Sequence, residues 1–271
     1  MMNPRRIHRV LHVHPEIHDI QNNLQNRRWN PRPSRCPNSH KQLAVPQQNR
    51  RRHGRNGALA GLVILALGDS HMTHMISPLH EALEEQGAIV HSYGMCGAMA
   101  EDWLTKATTQ CNAERHDKSG PVVNYQTQPT WLLTDLLQRN QPNLVVIELG
   151  DNMAGYGTLP QLPRDFINQQ VREILTPIKA RNLPCVWIGP PWGGDTNAYH
   201  KSDARVRELS QLLAQSVAPC SYIDTTTFAR PGEWSTFDGE HLTATSYRKW
   251  SLDIANALVR LKGTLHVAEV R

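Results

Sequence analysis

A serine closes an apolar run in 62–74, LVILALGDSHMTH, where Gly68 and Asp69 lead into Ser70, and His71 and His74 follow. Far downstream the tetrapeptide DGEH places Asp238 three residues before His241. A serine hydroxyl is a weak nucleophile until a base takes its proton during attack, so it needs an imidazole within hydrogen-bond reach. His241 can supply that imidazole. Asp238, about one turn away, can accept the other ring N–H, which fixes the tautomer and stabilises the imidazolium. Attack on an ester carbonyl is the chemistry these three residue types support together.

Such residues must be brought together by the elements between them. Apolar runs at 62–67, 88–92, 144–149, 185–189 and 220–224 predict strands, several of them apolar enough to be buried on both faces. Helical spacing falls at 77–86, 130–139, 164–181, 201–216 and 243–262, with Ser77-Pro78 reading as a helix start. The alternation predicts an α/β fold with a five-stranded, mostly parallel, doubly wound sheet and right-handed crossovers. Sites in such sheets form at the carboxyl ends of strands. Those ends read Gly68-Asp69-Ser70, Gly94-Met95-Cys96-Gly97, Gly150-Asp151-Asn152 and Gly189-Pro190-Pro191-Trp192, and Asp238-Gly239-Glu240-His241 precedes the last helix. Polar groups and glycines therefore converge on one edge.

These blocks resemble the SGNH (GDSL-type) hydrolase superfamily, with its GDS serine, glycine, G-x-N asparagine and D-x-x-H pair, here at Ser70, Gly97, Asn152, and Asp238 with His241, in the family's order across roughly 60–262. Singly, each block has a plainer explanation: a helix cap, turn glycines, an Asx turn, a surface pair. Their ordered placement on strand ends is what carries the likeness. The resemblance implies a flavodoxin-like three-layer sandwich, an acyl-serine intermediate and no cofactor. It also implies an oxyanion site made by the backbone N–H groups of Ser70 and Gly97 and the Asn152 amide. The chain departs from the pattern at Asn152-Met153, where aspartate commonly follows the asparagine. A helix beginning only at Ser77 would also lend Ser70 less of its dipole. Small acyl esters, above all O-acetyl groups on carbohydrate, are the expected substrates. Trp192, Tyr156 and the Gly150–Gly157 loop are expected to form a shallow sugar-facing rim, with His71 lining the pocket.

Two other functions fit parts of the pattern. Asp69 with His71, and Asp151, could begin a two-metal phosphoesterase site, but Asn-Met-Ala follows Asp151 and no G-N-H occurs. An O-acyltransferase or glycan-binding protein would keep the same pocket for another use.

Charge and cysteines bound the rest. Residues 1–56 hold 12 Lys and Arg against 2 Asp and Glu, whereas 57–271 hold 17 against 22. That basic segment, rich in Asn, Gln, Pro and His, has too little apolar content to offset ordering entropy and is expected to be a disordered tail before a domain at 57–271. It lacks aromatic interleaving beyond Trp29, so no nucleic-acid partner is expected. The run ALAGLVILALG behind RRRHGRNG imitates a signal peptide, but cleavage there would remove the strand that feeds Ser70, and the run is too short to span a bilayer. No stable membrane insertion is expected. Cys185 and Cys220 open predicted strands that neighbour each other in the family's sheet, and Cys96 and Cys111 bracket the loop after the second strand. Pairs 185–220 and 96–111 are expected, leaving Cys36, and they would place the protein in the periplasm or outside the cell. Four ordinary buried thiols in a cytoplasmic protein are the alternative. The stretch 105–128 has too little periodicity to assign.

Overall fold

The computed structural model describes residues 57–157, 159–194 and 199–265. The segment 1–56, including Cys36, lies outside them. At the centre, β1 (Val63–Gly68, VILALG) is an unbroken apolar run buried from Ile64 onward, as a strand flanked on both edges and covered on both faces must be. It pairs in parallel with β2 (Ile89–Met95) on one side and β5 (Leu144–Glu148) on the other. β6 (Cys185–Ile188) and β7 (Ser221–Ile223) extend the parallel sheet beyond β5.

The sheet has seven strands, not five. β3 (Ala113–Asp117) and β4 (Gly120–Asn124) form an antiparallel hairpin on the outer edge of β2, giving the order β4-β3-β2-β1-β5-β6-β7. The hairpin lies within the unassigned stretch 105–128. As an edge ribbon it is only half-buried, so its residues alternate too weakly to announce strands.

From β1 the chain moves one way through α1 (Ser70–Glu85) into β2, and from β5 the other way through α4 (Arg164–Lys179) and α5 (Asp203–Ser216). Right-handed crossovers running in opposite directions put α1 and the α4–α5 pair on opposite faces of the sheet, and α6 (Ala244–Leu261) packs on α1. Three layers result. α2 (Leu133–Asn140) and the single turn α3 (Asp151–Ala154) flank β5 in sequence. The direction of winding reverses between β1 and β5, the crevice where ligands of such sheets bind. Ser70 and Asn152 follow those two strands.

The helix expected from Ser77 instead begins at Ser70. Asp69 caps it by accepting the His71 N–H at 2.9 Å, and Pro78 sits inside it. The proline forfeits one backbone bond, but Met72, Met75, Ile76, Leu79 and Leu83 bury a continuous face against the sheet and α6, which outweighs that loss. The positive end of the helix dipole therefore lies at Ser70 itself, contrary to the expectation from Ser77-Pro78.

Both expected cysteine pairs are joined. Cys185–Cys220 links the starts of β6 and β7 with Cα atoms 4.5 Å apart, and Cys96–Cys111 ties the loop after β2 to the lead-in of β3 with Cα atoms 5.4 Å apart. Among the described residues no helix is long and apolar enough to cross a membrane.

Candidate functional site

At the β1 end, Gly68 cannot be larger, because a Cβ there would lie 2.4 Å from the Glu148 carbonyl of β5. That close approach sets Ser70 at the rim of the crevice. Its Oγ lies 2.9 Å from His241 Nε2, and His241 Nδ1 lies 2.7 Å from Asp238 Oδ2. The turn carrying the pair is wound on the aspartate: Asp238 Oδ1 accepts the N–H groups of Glu240 at 3.0 Å and His241 at 2.7 Å. Gly239 adopts φ +90°, which a side chain would resist.

The electrostatics suit a base. Burial alone would push the Asp238 carboxyl up, but hydrogen bonds from His241 outweigh it and hold the group down at about 2. Burial pulls the His241 imidazole down, and the bond to Asp238 with the charges of Glu240, Asp238 and Asp69 more than reverses this, so it stays raised.

Gly97 lies in the loop beyond β2 at φ +77°, where a Cβ would strike the Gln110 side chain at 2.7 Å. The loop is held by Cys96 N–H donating to Asn112 C=O at 3.0 Å and by the disulfide to Cys111. Asn152 follows β5 in α3. Its Nδ2 donates to Asp69 Oδ2 and to the Ala98 carbonyl, both at 3.1 Å, so the amide bridges the Ser70 and Gly97 segments.

Behind this row lies a buried charged network. Asp151 Oδ2 bonds Lys201 Nζ and, at 2.7 Å, His71 Nε2, while its Oδ1 accepts from Tyr156 Oη at 2.8 Å. The other ring nitrogen of His71 meets Tyr247 Oη of α6 at 2.8 Å. Lys201 is 1% exposed and His71 is fully buried. Burial would raise Asp151, yet the Lys201 ammonium and the His71 bond hold it far below the carboxylate range. Burial and the Lys201 charge press His71 down to about 3, so it is neutral. Burial and the charge of Asp151 push Asp69 and Glu240 each up to about 7.

His71, Asp151 and Glu240 bring ligand atoms within 4.8 Å of one another, the one such group among the described residues. The Lys201 ammonium already bonds Asp151 and stands 3.5 Å from His71 Nε2. The cluster thus holds its own positive charge, and Asp69, which the alternative two-metal reading paired with His71, accepts from the His71 N–H and the Asn152 amide.

The expected sugar-facing rim does not form. Tyr156 and Trp192 are 7% and 4% exposed. Tyr156 is turned inward by its bond to Asp151, and Trp192 by donating its indole N–H to the carbonyls of Ala229 at 2.7 Å and Thr226 at 3.1 Å. Arg207 covers the Trp192 ring at 4.7 Å, beside a groove of about 470 Å³ that none of Ser70, Asp238 and His241 lines. His71 is likewise a strut between Asp151 and Tyr247 rather than a pocket wall.

No protein-family model matches the chain. Among solved structures, a GDSL-like lipase from Bacteroides thetaiotaomicron superposes with TM-score 0.47 at 14% identity over 73% of this chain and 87% of its own. A carbohydrate esterase family 3 protein from Talaromyces cellulolyticus gives 0.47 at 15% over 73% and 96%, and the C-terminal catalytic domain of Streptococcus pneumoniae peptidoglycan O-acetyltransferase A gives 0.45 at 16% over 78% and 100%. Likenesses this distant transfer no chemistry. Protein BcsX of Komagataeibacter xylinus is 35% identical over 232 residues, covering 83% of this chain and 87% of that protein. The chain therefore belongs to the family of Protein BcsX.

Proposed function

We propose that this chain is an SGNH-type serine esterase that removes small acyl groups, O-acetyl groups on carbohydrate foremost, through an acyl-Ser70 intermediate. One observation carries the reading: the unbroken row Ser70 Oγ, His241, Asp238, with links of 2.9 and 2.7 Å. Ser70 Oγ attacks the ester carbonyl as His241 Nε2 takes its proton, and Asp238 stabilises the imidazolium. The oxyanion faces the N–H of Ser70 at the positive end of α1, the N–H of Gly97 and the Asn152 amide. The tetrahedral intermediate expels the alcohol, which leaves with the proton from His241. Water then attacks the acyl-serine with His241 again as base, releasing the acid. A sugar hydroxyl in place of that water would make the same site a transferase, and product analysis with an acetyl donor and candidate sugars separates the two. Two disulfides support an oxidising compartment, the periplasm or the exterior.

A serine-directed fluorophosphonate tests the reading. It is expected to label the wild-type chain at Ser70 and to leave Ser70→Ala unlabelled, with acetyl-ester hydrolysis unaffected by EDTA. Labelling that survives Ser70→Ala, or activity abolished by EDTA and restored by a divalent ion, would sink it.

The pH profile gives a second check. Only neutral imidazole can take the serine proton, so kcat/KM is expected to fall as pH drops through the His241 pKa. Because the Asp238 bond and neighbouring acids raise that pKa, the acid limb should lie above the ordinary histidine value and move to lower pH in Asp238→Asn.

A further inference from the structure

Three rings crowd the Ser70–His241 bond and take no part in the steps above. The Phe237 ring lies almost parallel to His241, with centroids 5.5 Å apart and planes at 14°. Tyr199 meets His241 edge-on at 5.9 Å, and His74 meets Phe237 edge-on at 5.5 Å. Phe237 is 60% exposed, although its backbone is firmly tied: its N–H donates to the His241 carbonyl at 3.0 Å, next to the Thr236–Leu242 bridge. A large apolar ring exposed to water on an anchored turn beside a reactive imidazole gains by being covered when ligand arrives.

The side of the site these rings occupy follows from the proton's path. His241 delivers its proton to the departing alcohol, so the groups flanking the imidazole meet the alcohol half of the ester. The acyl oxygen faces Gly97 and Asn152 instead. We propose that Phe237, with Tyr199 and His74, forms the subsite for the alcohol half of the substrate and that this half is a pyranose ring. A pyranose offers one face of C–H groups to an aromatic ring and a rim of hydroxyls to polar neighbours. Phe237 supplies the flat face, and the phenol of Tyr199 and the imidazole of His74 supply the polar company. An alkyl alcohol would draw nothing from the phenol and the imidazole beside Phe237. The inference rests on the esterase reading and assigns the carbohydrate half of its substrate to named residues. A transferase would use the same subsite for its acceptor, since the acceptor must stand where the alcohol leaves.

Two donors with the same acyl group test it on the full chain: a mono-O-acetylated methyl glucopyranoside and ethyl acetate, both followed by acid release. The readout is the ratio of their kcat/KM values, sugar acetate over ethyl acetate. A weakened His241 would penalise the more basic leaving group, ethanol, and so raise the ratio, opposite to the loss of a sugar subsite. Phe237→Ala is expected to lower the ratio about tenfold, mainly through KM for the sugar acetate, and Phe237→Trp to restore it. A ratio moved less than about twofold by Phe237→Ala overturns the inference while the esterase reading stands. So does a wild-type chain that cleaves ethyl acetate and ignores the sugar acetate, or a Phe237→Ala loss confined to octanoyl over acetyl esters, which would place the ring on the acyl side. A chain that cleaves neither donor and takes no fluorophosphonate sinks both.

Discussion

A Lys201→Met variant is expected to lose about 3–5 kcal/mol of stability at neutral pH, measured by urea unfolding. Lys201 is 1% exposed and Asp151 5%, and the two form a buried ion pair. Removing the ammonium strands a buried carboxylate whose remaining donors, His71 and Tyr156, carry no charge in the wild-type chain. The sign of the pH dependence follows. In the wild-type chain the Asp151 pKa is depressed, so its contribution is present above the unfolded aspartate value and is lost as pH falls. In Lys201→Met burial would raise that pKa instead, so the deficit should shrink on acidification. A double variant, Lys201→Met with Asp151→Asn, removes both charges and is expected to recover most of the loss. If the single substitution costs under about 1 kcal/mol, the pair is not the buried clamp described. The clamp matters to function because Asp151 begins the single turn that carries Asn152, while His71 follows Ser70 and Glu240 precedes His241. One charged cluster thus holds the three chain segments that meet at the crevice.

That cluster was only partly legible in the sequence. Each of the five expected strands formed within a few residues of its limits, because a strand buried on both faces must be an apolar run and glycines must follow it where the chain turns over the crevice. The edge hairpin β3–β4 escaped notice because AERHD and GPVVN are half-solvated and need no alternation. Ser77-Pro78 misled because local signals for a helix start cannot weigh the apolar face that Met72, Met75 and Ile76 bury. Asp151 and His71 stood in view, but Lys201, in the polar run YHKSD just before the Ser202 cap of α5, reads like any solvated lysine. Nothing in its neighbours announces that a buried carboxylate awaits it. Trp192 and Tyr156 fit a rim by type, yet whether an aromatic faces solvent depends on carbonyls and carboxylates far away in sequence. Phe237 had a usable signal: it immediately precedes the Asp of D-x-x-H, so the turn that fixes Asp238 must place it beside His241.

The Asn152→Ala variant is expected to lower kcat about 10²–10³-fold with little change in KM. In the structure both hydrogens of Nδ2 are engaged, one by Asp69 Oδ2 and one by the Ala98 carbonyl. For the amide to meet an oxyanion, one of these bonds must give way, and the bond to the neutral carbonyl is the weaker competitor for a donor facing full negative charge. The Asp69 bond then serves as the hinge pin. Alanine removes the donor and the pin together, taking one hydrogen bond from Asp69 in a place where burial and the charge of Asp151 already hold its carboxyl at about 7. Two lost hydrogen bonds predict a stability cost of about 1–3 kcal/mol, small enough for the protein to remain folded and its kinetics to be read. A role as a strut alone would show the stability loss with kcat lowered less than about threefold. In that case the N–H groups of Ser70 and Gly97 would have to carry the oxyanion without Asn152. A kcat loss of the larger size in a folded variant assigns the amide to the transition state, because uniform binding would have appeared in KM.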